Sequence, residues 1–294
     1  MNQQRTASFE GARERLIRHA YRMLGDWGEA EDAVQEAYLR WSAALETTGV
    51  ENDEAFLRTT ITRLALDRLR SAQARREVYV GPWLPEPVMA DESGPEAAAV
   101  LADDISFALL LACERLSPPE RAAFLLHEAL GAPFDEIAQT LGVSSASARQ
   151  LASRARRRIH EQQPHQRVTH DRAVELRDAF LAALRNADAT ALRDLMLSDV
   201  VVTADSGGKV RAAMVPVAGV DRVTELMLGV TRKFGHLIRR VELASINGMP
   251  GIVVIGDDEI IQTIAFELRD GRIAAMYVTR NPEKLERIAR RFGL

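Results

Sequence analysis

Residues 134–159 read FDEIAQTLGVSSASARQLASRARRRI, and the apolar side chains in this stretch recur at helical spacing. The pattern predicts a short first helix that ends at Gly142, because glycine adopts the positive φ that a tight turn between helices requires. Ser144 or Ser145 then caps a second helix by accepting hydrogen bonds from its unpaired amides. The stretch therefore predicts a helix-turn-helix.

The second helix of this motif has one apolar face and one face that is polar and basic. Arg149 and Gln150 suit bidentate contacts with guanine and adenine, and the later basic residues suit contacts with phosphates. We therefore predict that the helix reads duplex DNA; an ordinary amphipathic hairpin with solvated arginines is the alternative that the pattern leaves open. The candidate DNA-contacting residues are Ser145, Ser147, Arg149, Gln150, Ser153, Arg154, Arg157 and Arg158.

The composition is that of a globular protein with more than one domain. At 294 residues the chain is long enough for two or three domains, and 47% of its residues are hydrophobic. The net charge of −4 argues against a general affinity for nucleic acid, but residues 149–158 carry five arginines and no carboxylate. Local charge decides the electrostatic footprint, so the DNA interpretation stands.

The same inventory excludes several classes of protein. Cys113 is the only cysteine, which excludes an intrachain disulfide and a cysteine-clustered metal site. No apolar run is long enough to span a bilayer, and the N-terminus lacks the apolar core of a signal peptide. We therefore expect a cytoplasmic protein that has no membrane partner, no bound metal and no cofactor.

The pattern along the chain predicts three domains. Residues 8–77 and 96–163 are predicted to be all-α domains, joined by residues 78–95, whose four prolines exclude a regular helix. Residues 169–294 begin with two helices and continue with strands, among them Val210–Val217, and with Asn-Gly and Asp-Gly turns. This last part is predicted to be an α+β domain with a curved sheet wrapped around helices.

The helix predicted at residues 26–41 carries an acidic strip opposite its apolar face. Glu29, Asp32, Gln35 and Glu36 form this strip, which suits a basic helical partner. A solvated face is the alternative, because most charge runs are no more than that.

The helix predicted to follow, which runs toward Arg76, is basic. Arg58, Arg63 and Arg70 suit the backbone of a single nucleic-acid strand, with a base lodged in the adjoining loop. For Asp67 we favour a structural role beside Arg68, in which both stitch the helical bundle together, since a carboxylate that faces DNA is repelled.

Together these segments resemble the two-domain sigma factors of the extracytoplasmic-function group. The resemblance rests on EAEDAVQEAYLRW at 29–41, TRLALDRLRSAQARRE at 62–77 and the helix-turn-helix, in that order, and it covers residues 9–162. It implies that the acidic strip docks on the beta-prime clamp helices of the bacterial RNA polymerase core. It also implies that the basic helix reads and helps melt the −10 element of promoter DNA, and that the helix-turn-helix reads the −35 element.

Three further motifs resemble signatures of the sigma subgroup with a SnoaL-like C-terminal extension, a cone fold of the nuclear-transport-factor-2-like kind. They are WLPEP at 83–87, DSGGK at 205–209 and NPEKL at 281–285; Ser206 and Glu283 stand where that subgroup usually has glycine and aspartate. In one interpretation Lys209 pairs with Glu86, and Asn281 with Pro282 caps the last helix; in the alternative, both turn motifs simply terminate secondary structure. The residues expected in regulatory contacts between domains are Trp83, Leu84, Pro85, Glu86, Pro87, Asp205, Gly207, Gly208, Lys209, Asn281, Pro282, Glu283, Lys284 and Leu285.

The leading hypothesis is an alternative sigma factor, not an enzyme, that its own C-terminal domain regulates in cis. One alternative is a DNA-binding regulator whose C-terminal domain senses a small ligand of unknown identity or catalyses a reaction. Asp205 and His236 are the candidate acid–base residues for such an enzyme. A conventional repressor or activator that shares the helix-turn-helix is a third possibility.

The two ends of the second helix predict different mutant phenotypes. Substitution of Arg149 and Gln150 by alanine should change which promoters are used, because these side chains suit base edges. Substitution of Arg157 and Arg158 should weaken all promoters alike and flatten the salt dependence of binding, because these side chains suit phosphates. Transcription from a panel of −35 variants at several salt concentrations separates the two outcomes; an identical response from both double mutants would contradict the assignment.

Overall fold

The computed structural model describes residues 3–47, 49–89, 106–160 and 170–294. It divides into two compact units, one of Met1–Glu77 with Leu109–Gln163 and the other of Val78–Ala108 with Pro164–Leu294. The predicted connector beyond Met89 and the predicted helix before Ser106 lie outside the described residues. No helix among the described residues is long and apolar enough to cross a membrane.

Every secondary-structure element described in the first unit is a helix, as the sequence predicts. Gly25, at φ 72°, ends the first helix, and the Asp26 carboxylate accepts the Glu29 amide at 2.8 Å to start the second. Asn52 caps the third helix in the same way, at 3.0 Å from the Ala55 amide. The helices are α1 Gln3–Leu24, α2 Trp27–Thr47, α3 Asp53–Glu77, α4 Phe107–Glu114, α5 Pro118–Glu128, α6 Phe134–Leu141 and α7 Ser145–His160; the first two residues of α4 are assigned to the second unit.

Helices α6 and α7 form the predicted helix-turn-helix. Gly142 adopts the left-handed conformation at φ 68°, and its amide bonds back to the carbonyl of Ala138. The Ser144 hydroxyl accepts the Ser147 amide at 3.2 Å, so Ser144 is the cap of α7. The turn and the cap that the sequence predicts are both confirmed.

A shared apolar core joins α3 to the helices that carry the helix-turn-helix. Ala65, Leu66 and Leu69 of α3 belong to the same buried cluster as Leu125 of α5 and Ile159 of α7. A buried guanidinium reinforces this core: Arg121 of α5 donates to the carbonyl of Met23 at 2.7 Å and to that of Cys113 at 2.9 Å. Helix α3 also contacts α6.

The second unit is the predicted α+β fold. Its six strands lie in the order β2-β1-β6-β5-β4-β3, with β1 parallel to β6 and every other pair antiparallel. Its helices are α8 His170–Arg185, α9 Ala189–Leu195, α10 Val220–Phe234 and α11 Pro282–Arg291. Its strands are β1 Met196–Asp205, β2 Val217–Ala218, β3 Arg240–Ile246, β4 Met249–Ile255, β5 Ile260–Arg269 and β6 Arg272–Thr279.

Helices α8, α9 and α10 fill the interior that the curved sheet encloses. Phe180 of α8 meets Phe266 of β5 edge to face, with 5.1 Å between ring centroids, and Met227 and Met276 pack beside them. Because side chains alternate along a strand, Val202 and Ala204 of β1 face this interior while Asp205 faces the opposite side. That opposite side is where α11 packs.

The strand predicted at Val210–Val217 is wrong, because only Val217 and Ala218 pair with β1. Pro216 cannot donate a ladder hydrogen bond. The carbonyl of Arg211 accepts from the Arg280 side chain rather than from a neighbouring strand. The segment is therefore a loop, whereas the predicted Asn-Gly and Asp-Gly turns at 247–248 and 270–271 have the expected positive φ values.

His19 of α1 predicts a pH dependence of stability. The ring is fully buried, its Nε2 lies 2.9 Å from the Thr62 hydroxyl, and that hydroxyl donates to the Arg58 carbonyl. Burial, together with the charges of Arg22 and Arg58, lowers the pKa of His19 to about 3. The folded protein therefore keeps a neutral ring between pH 6.5 and 3, while the unfolded chain takes up a proton.

The free energy of unfolding should consequently fall as the pH drops below 6.5, by up to about 1.4 kcal/mol per pH unit from this group. Urea unfolding of the wild type and of His19→Gln between pH 6.5 and 4.5 measures the effect. The difference between the two curves should shrink toward acid pH. Parallel curves would show that His19 does not carry this dependence.

Candidate functional site

The exposed face of α7 carries the residues predicted to meet base edges. Arg149, Gln150, Ser153 and Arg157 are exposed, while Ser145 and Ser147 are half-buried at the start of the helix. The Arg149 guanidinium lies 5.4 Å above the Phe134 ring, and the Ser145 hydroxyl donates to Asp135. Both contacts hold the start of α7 to α6 and leave its polar face open to a partner.

Arg154 and Arg158 are also predicted to contact DNA, but each has a partner within the helix-turn-helix unit. Glu120 of α5 accepts from Arg154 at 3.1 Å and from Arg158 at 2.7 Å. Burial opposes the charge of this carboxylate, yet hydrogen bonds from Ser117 and the two arginines lower the pKa of Glu120 overall. The pair of arginines is therefore positioned from inside the domain, and their phosphate role stays a prediction.

The basic face of α3 is partly covered by α6. The Arg58 Nε donates to Glu136 at 3.0 Å, and its side chain is only 14% exposed. Arg63 donates to the backbone carbonyls of Gln139 at 2.9 Å and Thr140 at 3.1 Å. Of the three arginines predicted to hold a DNA strand, two thus bind the helix-turn-helix.

The structure contradicts the role that the sequence predicted for Asp67, three residues before Arg70. Arg70 is exposed and lies 3.1 Å from Asp67, which is exposed as well. The structural role favoured for Asp67 is therefore wrong, because its carboxylate points to solvent from the outer face of α3. Arg68 does stitch the bundle, since it donates to the Glu29 carbonyl and lies 3.4 Å from Glu36.

The acidic strip on α2 remains largely open. Asp32 and Gln35 are exposed, Glu29 and Glu36 are half-buried, and Glu36 pairs with Arg40 at 2.6 Å. The strip also contains Leu39, whose side chain is 61% exposed. The sequence argument missed Leu39, although an apolar residue within a polar face is a signal of a protein contact.

The three motifs of the second unit meet at one buried carboxylate, Asp205, on the outer face of the sheet. One oxygen accepts from the Tyr79 hydroxyl at 2.5 Å and from the Gly207 amide at 3.1 Å. The other accepts from the Leu84 amide at 2.8 Å and from the Lys284 ammonium at 2.7 Å. WLPEP, DSGGK and NPEKL are therefore parts of a single site, which holds the connector onto the C-terminal domain.

Lys284 completes this site from α11. Its ammonium also donates to the Leu84 carbonyl and lies 4.4 Å from the Trp83 ring centroid and 5.2 Å from that of Tyr79. Leu84, Pro85, Pro87 and Leu285 are buried around the charged pair, and Glu86 is half-buried. Burial, hydrogen bonding and the Asp205 charge raise the pKa of Tyr79, so its hydroxyl stays protonated and donates.

The first two residues of the NPEKL motif begin helix α11. Asn281 caps α11 by accepting the Glu283 amide at 3.2 Å, and Pro282 takes the first helical position, as expected. The Asn281 amide group also donates to the Tyr79 hydroxyl at 2.9 Å. Tyr79 was missed by the sequence argument, although it lies four residues before Trp83.

Two expectations about the DSGGK turn have different outcomes. Lys209 pairs with Glu283, so the expected pairing with Glu86 is wrong; the turn places Lys209 beside the start of α11. Ser206 is tolerated where the subgroup has glycine because only Gly207 and Gly208 adopt positive φ. At those two positions a Cβ would also come within 2.7 Å of Asn281 and 2.9 Å of Val80.

Neither acid–base candidate of the enzyme hypothesis faces the interior of the cone. Asp205 lies on the opposite face of the sheet with its carboxylate fully hydrogen-bonded, and His236 is exposed in the turn after α10. The interior is packed with Phe180, Phe266 and neighbouring apolar side chains. The expected small ligand therefore gains no support from this packing.

Known protein families match both helical parts of this chain. The family model for Sigma-70 region 2 matches residues 9–75, and the model for Sigma-70 region 4 matches residues 106–159. The extracytoplasmic-function (ECF) RNA polymerase sigma factor SigJ of Mycobacterium tuberculosis is 39% identical over 95% of this chain and 92% of its own. The probable ECF sigma factor SigI of the same organism is 31% identical over 98% of this chain and 97% of its own.

This chain belongs to the ECF sigma factors. The crystal structure of M. tuberculosis SigJ covers 96% of this chain and 98% of its own, with 36% identity and a TM-score of 0.77, so the similarity includes the C-terminal domain. The protein is an alternative sigma factor that directs transcription initiation. Region 2 contains the acidic strip and α3, and region 4 contains the helix-turn-helix.

The buried pair of Asp205 and Lys284 predicts a large effect of a small substitution in this sigma factor. Asp205→Asn removes the charge that compensates Lys284, whose side chain is 11% exposed, and should lower the free energy of unfolding of the C-terminal domain by about 3–5 kcal/mol. Asp199→Asn is the matched control, because its partner Arg269 and the pair itself lie near the surface, and should cost less than about 1 kcal/mol. Denaturant unfolding measures both, and equal losses would contradict the central role of Asp205.

Proposed function

We propose that this sigma factor rests in a closed state in which α6 of region 4 blocks α3 of region 2, and that promoter recognition requires the two helices to separate. In this proposal α3 holds the −10 element through Arg58, Arg63 and Arg70. The exposed face of α7 reads the −35 element. The C-terminal domain regulates the exchange by holding the connector between the regions.

The contact between Glu136 and Arg58 carries the proposal. An arginine that pairs with a carboxylate presents the same donors that it would offer to a phosphate. Arg63 likewise donates hydrogen bonds to backbone carbonyls of α6. Bound to α6, neither side chain is available to a DNA strand, so closure and −10 recognition compete for the same groups.

The hydrogen bonds of the two arginines contribute little to the net cost of opening. Opening exchanges one set of charge-assisted hydrogen bonds on Arg58 and Arg63 for another set to phosphates. The apolar contacts of Ala65, Leu66 and Leu69 with region 4 then set most of the cost of opening. A partner that binds only the open state shifts the population by its difference in affinity for the two states.

RNA polymerase core is the partner that fits this role. Asp32, Gln35 and Leu39 of α2 stay exposed while α6 covers α3, so the docking surface is accessible before region 4 moves. Binding of the acidic strip to basic helices of the polymerase would then precede promoter recognition. Arg149 and Gln150 are exposed in the same state and reach duplex DNA without rearrangement of α7 itself.

A disulfide across the closed contact tests the proposal. The hydroxyl oxygens of Thr59 on α3 and Thr140 on α6 lie 3.2 Å apart, so the double variant Thr59→Cys/Thr140→Cys places two thiols within reach of each other. Oxidation should lock the closed state and abolish run-off transcription with polymerase core, and reduction should restore it. The native Cys113 does not interfere, because burial raises the pKa of its thiol to about 11.

Each single-cysteine variant is the control and should transcribe equally with and without oxidant. An oxidised, cross-linked protein that transcribes normally would refute the inhibitory role of the contact. Failure of the cross-link to form would show that α3 and α6 do not meet in the free protein. Glu136→Gln should act in the opposite direction and raise promoter use at limiting polymerase, whereas Glu128→Gln, which loses a pair with Arg156, should not.

A further inference from the structure

Arg149 of α7 rests on an aromatic ring rather than on a carboxylate. Its guanidinium carbon lies 5.4 Å from the centroid of the ring of Phe134, the first residue of α6. A cation–π contact depends on the charge and not on a hydrogen bond, so it leaves the N–H donors of the guanidinium available to an acceptor. No residue in the described part of the chain accepts a hydrogen bond from Arg149. The ring therefore supports the charge without using the groups that would read a base.

Two later arginines of the same helix are held in a different way. Arg154 and Arg158 both donate hydrogen bonds to the carboxylate of Glu120, at 3.1 Å and 2.7 Å. These bonds use the N–H groups themselves, which must be exchanged or shared before the same groups meet DNA. Arg149 needs no such exchange.

The Phe134 ring is itself fixed in place. It is half-buried and packs against the apolar cluster that contains Ile137 and Ala148. The His127 ring lies 4.2 Å from it between centroids, with 30° between the planes, and the His127 Nδ1 donates to the Ala132 carbonyl at 3.2 Å. A ring on α6 that is supported from α5 gives the side chain above it a defined position.

We infer that Phe134 is a positioning residue for −35 recognition, which raises the selectivity for the base pair that Arg149 reads. The inference deepens the proposed function, since it rests on the exposed face of α7 reading the −35 element. An unsupported arginine samples many rotamers and loses that freedom when it binds. The ring restricts the Arg149 side chain beforehand, so less freedom is lost in the complex with the correct base.

The magnitudes of the two contacts set the expected effect. A bidentate contact from arginine to guanine discriminates against other bases by about thirtyfold. An exposed cation–π contact contributes about threefold. Loss of the ring should therefore weaken the preference at one position about threefold and leave the other positions of the −35 element unchanged. A ring that only stabilised the domain would instead weaken all promoters by the same factor.

The test is run-off transcription by polymerase core with the full-length protein on promoters in which each base pair of the −35 element is replaced in turn. Arg149→Ala should abolish the preference at one position, which identifies the base pair that Arg149 reads. Phe134→Leu should lower the preference at that same position about threefold, and Phe134→Tyr, which keeps a ring, should match wild type. In the Arg149→Ala background, Phe134→Leu should cause no further loss of preference there.

Phe124→Leu is the matched control, because Phe124 is also a half-buried ring of region 4 but packs against the core shared with α3. Its base preferences should match wild type at every position. Thermal melting and binding to polymerase core establish that each variant is folded; if Phe134→Leu does not fold, Phe134→Met decides.

Two outcomes would contradict the inference, and they differ in what else they contradict. A folded Phe134 variant without a ring that keeps the wild-type preference at the position identified by Arg149→Ala would overturn the positioning role alone. An unchanged preference at every position in Arg149→Ala would overturn the positioning role together with the assignment of Arg149 to base reading in the proposed function.

Discussion

A carboxylate buried at the end of β1 governs where the connector lies. Asp205 has no exposed surface, and the Tyr79 hydroxyl, two backbone amides and the Lys284 ammonium all donate to its carboxylate. Two of these donors, Tyr79 and the Leu84 amide, belong to the connector. Docking the connector and satisfying the buried charge are therefore the same event, and the connector cannot leave without exposing both Asp205 and Lys284.

Charged side chains are also satisfied by hydrogen bonds at the contact between α3 and α6, but the consequence there is different. Arg58 and Arg63 are satisfied by Glu136 and by carbonyls of α6, but their positions are only partly buried, and DNA phosphates offer equivalent acceptors. The Asp205 site has no such competitor within its buried setting and acts as a fixed anchor. At the α3–α6 contact, DNA phosphates are such competitors. We therefore assign the switch to this contact and a fixed role to the connector.

Much of the fold was predictable because its signals are local. Gly142, Ser144, the Asp26 cap and the glycine turns of the sheet each depend on neighbours within a few residues, and each was confirmed. The strand predicted at 210–217 failed because hydrophobic alternation does not show which backbone groups find partners. Asp67 was misassigned because the sequence does not show which side of a helix its neighbours cover.

The sequence by itself pointed to a sigma factor, because three of its motifs resemble those of the family in their residues and their order, whereas charge and spacing alone left the acidic strip open as a solvated face. It also identified the three motifs of the connector and the C-terminal domain. Only the tertiary structure decided that these motifs share one carboxylate and that Glu136 occupies Arg58. These contacts join residues from 78 to 126 positions apart, and no local periodicity encodes which distant partner a charged side chain will find.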